Sequence, residues 1–148
     1  MSNANGEAIL AAACFRMGVA GSRLTQAFAD RIAPLGLSHK QVGLLAVVDS
    51  GLARSQREIA DRMRVAPSLV VSLVDRLIEL DAVRRTRSTT DRRVQLIELT
   101  DRGRDLLAAG ARTAAALDDD FRVGLSPAGR AALDTLLVEL DARRPPTG

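Results

Sequence analysis

The chain has 148 residues, of which 47% are hydrophobic, and it carries a net charge of +3. This length suits one domain with a substantial core and is too short for a catalytic domain beside a separate binding domain. The single cysteine excludes an internal disulfide framework, and one histidine cannot furnish a zinc site alone. We therefore expect one domain without a metal or a cofactor.

The apolar runs and the N-terminal segment indicate where in the cell the protein is expected. The longest apolar runs are interrupted well before the roughly 20 residues that span a bilayer, and the start, MSNANGEAIL, lacks the basic region of a secretory signal. We expect a cytoplasmic protein without a membrane partner. Of the 21 basic residues only Lys40 is a lysine, which suits bidentate recognition of phosphate or guanine, although the arginine bias can equally reflect genomic base composition.

A long helix is predicted near the N-terminus, after a small, polar and frayed start through residue 6. The helix is expected from about Glu7 to Ala33, because its apolar positions recur at three- and four-residue steps. These positions are Leu10, Cys14, Met17, Gly21, Leu24 and Phe28. Phe15, Val19 and several alanines add further apolar surface, which indicates a second packing partner such as another subunit.

The next helix is predicted from about His39 to Val48. Pro34 and Gly36 end the first helix, and Ser38 with Gln41 forms a capping box at the start of the second. Because this segment is almost entirely apolar after its first turn, we expect it to be buried.

Two short helices follow. Ser55 stands three residues before Glu58, which predicts a second capping box and a helix from Gln56. A break at Arg64 to Ala66 leads to Pro67, whose fixed φ suits the first position of a new helix that runs to about Asp81. One face of this helix carries a stripe at the helical period: Val70, Leu73, Val74, Leu77 and Leu80.

From Val83 to Leu99 the pattern becomes strand-like, with VRRTR and RRVQLIEL on either side of the polar segment STTDR. Five arginines and one aspartate between Arg84 and Arg93 make a local charge of +4. Such a cationic hairpin beside a helix pair suits a wing laid along phosphates or into a narrow minor groove. A merely solvated charge run is the alternative interpretation.

The C-terminal third is predicted to form two helices. Thr100 is a plausible cap for a helix from Asp101 to about Val123, and Ser126 with Pro127 opens the last one. The run from Arg143 to Pro146 is expected to end it. Apolar positions of the two helices are Leu106, Leu107, Ala114, Leu117, Phe121, Leu133, Leu136, Leu137 and Leu140.

Residues 55–93 resemble the DNA-binding domain of the MarR family of bacterial transcriptional regulators. The resemblance rests on the helix REIADRM, the segment VAPSLVVSLVDRLIELDAV, the D-x-R signature at Asp91 to Arg93 and the strand ending LIELTDRG. It implies a mainly α fold with a small antiparallel β-wing: a winged helix-turn-helix with six helices, in which Leu52 to Arg54 pairs with the wing. The implied divisions are an N-terminal dimerisation helix (1–36), the winged DNA-binding region (37–100) and C-terminal dimerisation helices (101–148).

The resemblance also implies a function. It is that of a repressor that binds double-stranded DNA as a homodimer, at a pseudo-palindromic operator whose half-sites are roughly 10 bp apart. Residues expected at the DNA are Ser55, Gln56, Pro67, Ser68, Leu69, Val71, Ser72, Arg76, Arg87, Arg92 and Arg93.

These residues are expected to make different kinds of contact with DNA. Helix-terminal Ser55, Gln56 and Ser68 would contact phosphate. Leu69, Val71 and Ser72 would meet base edges, Arg76 would reach phosphate or guanine, and Arg92 or Arg93 would enter the minor groove. Many relatives have a serine or threonine before the proline and a polar pair further along, where this chain has Ala66, Val71 and Ser72. We hypothesise that DNA shape, Arg76 and the wing therefore contribute more to specificity here than in a relative with a polar helix.

Two regulatory routes are open. The resemblance implies a small aromatic or phenolic effector in a cleft whose possible lining residues are Phe15, Arg16, Met17, Phe28 and His39. A solvent-facing residue of a first helical turn is the favoured interpretation of His39. Cys14 has a counterpart in the OhrR-type, peroxide-sensing branch of the family, but that branch supports its thiolate with tyrosines and this chain has none. Packing of Cys14 as a small hydrophobe is the favoured interpretation.

The sequence disfavours two other functional classes. An enzyme is disfavoured, because the chain contains no GxxxxGK[ST], GxSxG or HExxH motif and no second histidine or cysteine. A winged-helix module for protein interaction without DNA binding is disfavoured by the cationic wing, and the salt dependence of duplex binding would distinguish it.

Overall fold

The computed structural model describes residues 3–143, which contain seven α-helices and a two-stranded antiparallel sheet. The elements are α1 Ala4–Ala11, α2 Ala13–Ile32, α3 His39–Asp49, α4 Gln56–Met63, α5 Pro67–Glu79, β1 Val83–Arg87, β2 Gln95–Leu99, α6 Asp101–Val123 and α7 Pro127–Ala142. A short 3-10 turn, Ala33–Leu35, follows α2. The predicted class, mainly helical with a small antiparallel wing, is confirmed.

The N-terminal region differs from the prediction in two ways. Helix begins at Ala4, so the frayed start expected through residue 6 is wrong for residues 4–6. The single long helix is divided at Ala12, which has an extended backbone (φ −64°, ψ 138°), and the helix count is therefore seven rather than six. Neither proline nor glycine marks this division, and the apolar spacing continues across it, so periodicity alone could not reveal it.

The α3 helix forms as predicted. Ser38 Oγ accepts a hydrogen bond from Gln41 N at 3.2 Å, and Ser38 N donates to Gln41 Oε1 at 2.8 Å, which completes the capping box. Gly36 before it has a φ of +76°, a left-handed conformation that glycine adopts without strain. Leu44, Leu45 and other residues of α3 are buried, so the helix lies in the core.

The core of the winged region lies between α3, α4, α5 and the sheet. Four residues of the predicted α5 stripe are buried, while Leu80 follows the helix end and is half-buried. The helix ends at Glu79, two residues earlier than expected. Fully buried side chains of this core include Leu44, Leu45, Ile59, Val70, Val74, Leu77 and Ile97. Burial on this scale, at roughly 1.5–3 kcal/mol per large apolar side chain, holds the helix pair against the hairpin.

The hairpin pairs Val83 with Leu99 and Arg87 with Gln95. Its second strand begins at Gln95, three residues later than the predicted segment RRVQLIEL, because Arg92 to Val94 belong to the connecting loop. The segment before α4 pairs with the wing through its end: Ile97 N donates to Arg54 O at 2.8 Å, and Ser55 forms an isolated bridge with Leu96.

The start of α6 is joined closely to the turn that follows α5. Thr100 caps α6 as predicted, with Gly103 N donating to Thr100 Oγ1 at 3.0 Å, and Thr100 N donates to Ala82 O at 3.0 Å. A Cβ atom on Gly103 would overlap the Ala82 carbonyl oxygen. Glycine is therefore required for this close approach of helix and turn.

The chain divides into two compact units, the first ending at Thr113 and the second beginning at Ala114. In the second unit, Ser126 Oγ accepts from Gly129 N at 3.0 Å and caps α7, as predicted. Arg122 donates to Asp118 at 2.7 Å and to Asp134 at 2.8 Å, and these two carboxylates raise the pKa of its guanidinium. The helix α7 ends at Ala142; of the run expected to end it, residues 144–146 lie outside the described part of the chain.

Candidate nucleic-acid interface

The N-terminus of α4 is capped by Ser55, but only half of the predicted capping box forms. Ser55 Oγ accepts from Glu58 N at 3.1 Å, while its hydroxyl donates to Glu58 Oε1 at 2.9 Å. The Glu58 carboxylate therefore binds the hydroxyl and not the Ser55 backbone N–H, and Ser55 itself is buried. Because the only proton of the Ser55 hydroxyl is engaged in the cap, Gln56 beside it is the better placed of the two to donate to a ligand.

The outer face of α5 carries the predicted base-contacting residues. Ser68, Val71 and Ser72 are exposed, whereas Leu69 is half-buried and packs against the core. Pro67 is the first residue of the helix and Ala66 provides no side-chain cap, as the sequence indicated. This face presents two hydroxyls and an apolar patch, a sparse set of hydrogen-bonding groups for reading bases.

Charged residues continue this face. Arg76 donates to Glu79 at 2.8 Å along the helix, so its guanidinium must leave that pair to reach DNA. Asp75, next to it, accepts from Arg85 of the wing at 2.6 Å. The helix is thus joined to the hairpin by an ion pair that no sequence motif predicted.

The D-x-R signature forms a clasp within the wing loop. Asp91 Oδ1 accepts from Arg93 N at 3.0 Å and from Arg93 Nε at 3.2 Å, and Asp91 Oδ2 accepts from Arg93 Nη2 at 3.3 Å. These hydrogen bonds to the charged form hold the pKa of Asp91 below its usual value. The carboxylate is therefore ionised at neutral pH, and the clasp orders the loop that carries the wing arginines.

The five wing arginines differ in whether their charge is paired with a carboxylate. Arg84 pairs with Glu98 at 3.4 Å, Arg85 with Asp75, and Arg93 with Asp91. Within residues 3–143, Arg87 and Arg92 make no salt bridge. These two are consequently the wing cations most available to an external anion.

A groove with a volume of about 540 Å³ lies between the start of α4 and the wing. It is lined by Ser55, Gln56, Arg57, Arg87, Arg92, Arg93, Val94 and Gln95. Five residues predicted separately as DNA contacts are thereby brought together, while those of α5 lie outside the groove. The sequence analysis missed Arg57, although its place in the first turn of α4, directly after Gln56, was a usable signal.

The predicted effector residues have different surroundings. Phe15, Arg16 and Met17 are exposed near the start of α2, whereas Phe28 packs against the buried core. His39 is the first residue of α3 and is half-buried. The pocket they were expected to line stays a prediction.

Cys14 is exposed at the start of α2. Its expected packing as a small hydrophobe is therefore not realised within a single chain. The apolar spacing placed Cys14 on one stripe with Leu10, but the two residues lie on different helices, separated by the break at Ala12.

Residues 3–143 contain neither a metal-binding cluster nor a helix that could cross a membrane. No group of three or more histidine, cysteine, aspartate or glutamate residues between residues 3 and 143 could hold a metal ion. Over the same residues, every helix is too short or too polar to cross a membrane.

Comparisons with known proteins agree on one family. Residues 35–94 match the MarR family model. The transcriptional repressor MdtR of Bacillus subtilis is 40% identical over 68 residues, which are 46% of this chain and 44% of MdtR. A relative from Thauera aromatica is 33% identical over 105 residues, 71% of this chain and 63% of its own length. The chain thus spans less than two thirds of either curated relative.

Solved structures match over more of their length. The repressor CouR bound to a 23-mer DNA duplex is 30% identical, with a TM-score of 0.78 over 88% of this chain and 91% of that one. CouR from Rhodococcus jostii bound to p-coumaroyl-CoA is 26% identical, with a TM-score of 0.80 over 95% and 96% of the two chains. With the winged fold, the D-x-R clasp and these likenesses together, the chain belongs to the MarR family.

Proposed function

We propose that this chain is a transcriptional repressor that binds a pseudo-palindromic DNA operator as a homodimer and is released by a small effector. The observation that carries the proposal is the basic groove beside the N-terminus of α4, in which Arg87 and Arg92 make no salt bridge to any residue between 3 and 143. Unpaired guanidinium groups next to helix N–H groups suit the phosphates of a nucleic-acid backbone. The DNA-bound state of the similar protein CouR supports the same interpretation.

On this proposal the DNA contacts divide between two surfaces. The groove holds a backbone segment through Gln56, Arg57, Arg87 and Arg92, which positions the protein. The exposed residues Ser68, Val71 and Ser72 of α5 lie in the major groove, where Val71 meets a thymine methyl. Because α5 offers few donors, the wing and the local shape of the DNA supply much of the specificity.

The homodimer is proposed from the apolar surface of the terminal helices. No residue of α1 or α7 is buried, although both carry large apolar side chains. The exposed ones in α1, the start of α2 and α7 are Ile9, Leu10, Phe15, Met17, Val19, Leu136, Leu137, Val138 and Leu140. Large apolar side chains exposed in this number are usually covered by a partner. A second copy would cover it and set two winged regions about one DNA turn apart.

The effector is proposed to be a small aromatic or phenolic anion, held near Phe15, Arg16, Met17, Phe28 and His39. Binding of p-coumaroyl-CoA by CouR lends support, because that ligand is a phenolic acyl group on an anionic carrier. Phenolic acids and their CoA thioesters, titrated into the DNA complex, should release the duplex at micromolar to millimolar concentration, the common range for such ligands. Aliphatic acids and aliphatic acyl-CoA serve as matched controls.

A peroxide sensor is the second candidate, and the exposure of Cys14 favours it. Oxidation of an exposed thiol to the sulfenic acid would alter the helix that carries it. Peroxide should then release DNA from the wild type and not from Cys14→Ser. Equal release, or none, from both proteins removes this candidate.

The central experiment is selection of bound fragments from genomic DNA by the purified chain. A two-fold symmetric motif with half-sites roughly 10 bp apart is expected. Affinity for the selected duplex should fall steeply with salt, because phosphate neutralisation releases counterions. If no duplex binds at low salt, the chain is a winged-helix interaction module and not a DNA-binding repressor.

A further inference from the structure

Arg85 differs from the other wing arginines in where its side chain lies. It stands opposite Ile97 in the hairpin, and Ile97 is fully buried, so the two residues share the inward face of the sheet. The side chain of Arg85 is 31% exposed, compared with 64% for Arg84 on the other face. The guanidinium of Arg85 is directed toward the helix pair, where its hydrogen-bond partners lie.

The guanidinium of Arg85 instead joins three elements. Its Nη2 donates to Asp75 Oδ1 on α5 at 2.6 Å, and its Nε donates to Gln56 Oε1 on α4 at 3.2 Å. The planar fork of arginine can serve two acceptors at once, which the single ammonium of a lysine does less well. One side chain of β1 therefore links the wing to both helices of the helix-turn-helix.

This arrangement has a consequence for Gln56. Its amide oxygen is occupied by Arg85, and within the described part of the chain its Nε2 group makes no hydrogen bond. An amide whose oxygen accepts from Arg85 still has two N–H donors to offer. Gln56 lines the basic groove with Arg87 and Arg92, so those donors are available to an anion in the groove.

The guanidinium of Arg85 is held by Asp75 and Gln56, whereas within residues 3–143 Arg87 and Arg92 make no salt bridge. Removal of Arg85 should therefore disturb the geometry of the helix pair and the wing more than direct contact with phosphate. This difference makes the role of Arg85 experimentally separable from that of its neighbours.

We propose that Arg85 is a positioning residue for DNA binding: through Asp75 and Gln56 it holds the wing, α4 and α5 in one geometry and aims the Gln56 amide at a backbone phosphate. The proposal rests on the proposed function, since it needs a duplex in the groove.

The test is a double-mutant cycle measured as affinity for the selected duplex, by fluorescence anisotropy, in the full-length chain. Gln56→Ala is expected to weaken binding about fivefold in the wild-type background, the worth of one hydrogen bond. In the Arg85→Gln background it should change binding by less than about twofold, because the amide is no longer aimed. An equal loss in both backgrounds would overturn the proposal.

The salt dependence of duplex binding distinguishes a direct phosphate contact from a positioning role. Arg87→Gln should lower the slope of log affinity against log salt by about 1, while Arg85→Gln should leave the slope unchanged. An equal fall for both variants means that Arg85 binds phosphate itself, which overturns the positioning role.

Thermal unfolding and far-UV circular dichroism check that each variant is folded. If Arg85→Gln does not fold, Arg85→Lys keeps the charge beside Asp75 and replaces it in the cycle, with the same expected loss of coupling to Gln56. Absence of duplex binding by the wild type would refute the proposed function and this inference together. An additive cycle in a wild type that binds refutes the inference alone.

Discussion

The winged region and the terminal helices both carry large apolar side chains but bury them differently. Leu44, Ile59 and Val74 of the winged region are buried within one chain, while Ile9 of α1 and Val138 of α7 are exposed. An apolar sequence shows that a helix has side chains to cover and does not show what covers them. The winged region supplies its own cover, whereas in the proposed dimer a second copy would cover the terminal helices.

The largest expected effect comes from the core of the winged region. Leu77→Ala should lower the free energy of unfolding by about 3 kcal/mol, because it removes buried methyl groups and leaves a cavity. Its neighbour Ile78, which is exposed on the same helix, is the matched control, and Ile78→Ala should cost about 1 kcal/mol or less. Urea denaturation of both variants measures the difference, and equal losses would contradict the division between core and surface.

A second pair of substitutions compares close packing with open space. Gly103→Ala should destabilise the chain by about 2 kcal/mol, because its Cβ would displace the Ala82 carbonyl oxygen. Gly18→Ala in α2 meets no atom in the single chain and should stabilise the helix by about 0.5–1 kcal/mol. Thermal unfolding checks both. A loss at Gly18 would indicate that a second copy occupies the space above it.

The proposed dimer is tested by introducing a charge on the exposed apolar surface. Leu137→Glu should weaken self-association about 100-fold, since a carboxylate would be buried without a partner charge. Leu52→Glu, in the loop before α4, is the matched control and should leave association unchanged; Leu52 is 53% exposed and Leu137 is 46% exposed. Sedimentation equilibrium measures the dissociation constants. A wild type that is monomeric at all concentrations would rule out the homodimer.

The smallest expected effect concerns the wing, where a surface charge changes DNA binding and not stability. Arg92→Ala should weaken duplex binding several-fold and lower the salt slope by about 1, because an unpaired guanidinium is removed from phosphate. Arg84→Ala removes a charge already paired with Glu98 and should have the smaller effect. Anisotropy titrations over a range of salt compare the two, and a reversed order would contradict the assignment of free and paired arginines.

Much of the local structure could be predicted because its causes lie within four residues of each other. The Ser38 capping box, Pro67 at the start of α5 and the caps at Thr100 and Ser126 are each short-range features, and all four formed as expected. The stripe on α5 was likewise a property of adjacent helical turns. The Ser55 box formed only in part, because the Glu58 carboxylate has two competing donors and sequence spacing does not choose between them.

Several residues of the candidate site could be predicted from the sequence, but their spatial arrangement could not. Sequence reasoning named Gln56, Arg87 and Arg92, but their common groove depends on the hairpin folding back onto the start of α4. The five wing arginines were predicted to act together as one cationic patch, whereas in the fold three of them are paired with carboxylates.

By itself, the sequence determined the order of helices and hairpin, the inward face of α5 and the resemblance to the MarR family, since these depend on local spacing and residue type. Only the tertiary structure decided the break at Ala12, the exposure of Cys14 and the link from Arg85 to Asp75 and Gln56. The residues of that link are 10 and 29 positions apart along the chain. No local pattern couples side chains over such distances, and it is the packing of the hairpin on the helix pair that brings them within hydrogen-bonding range.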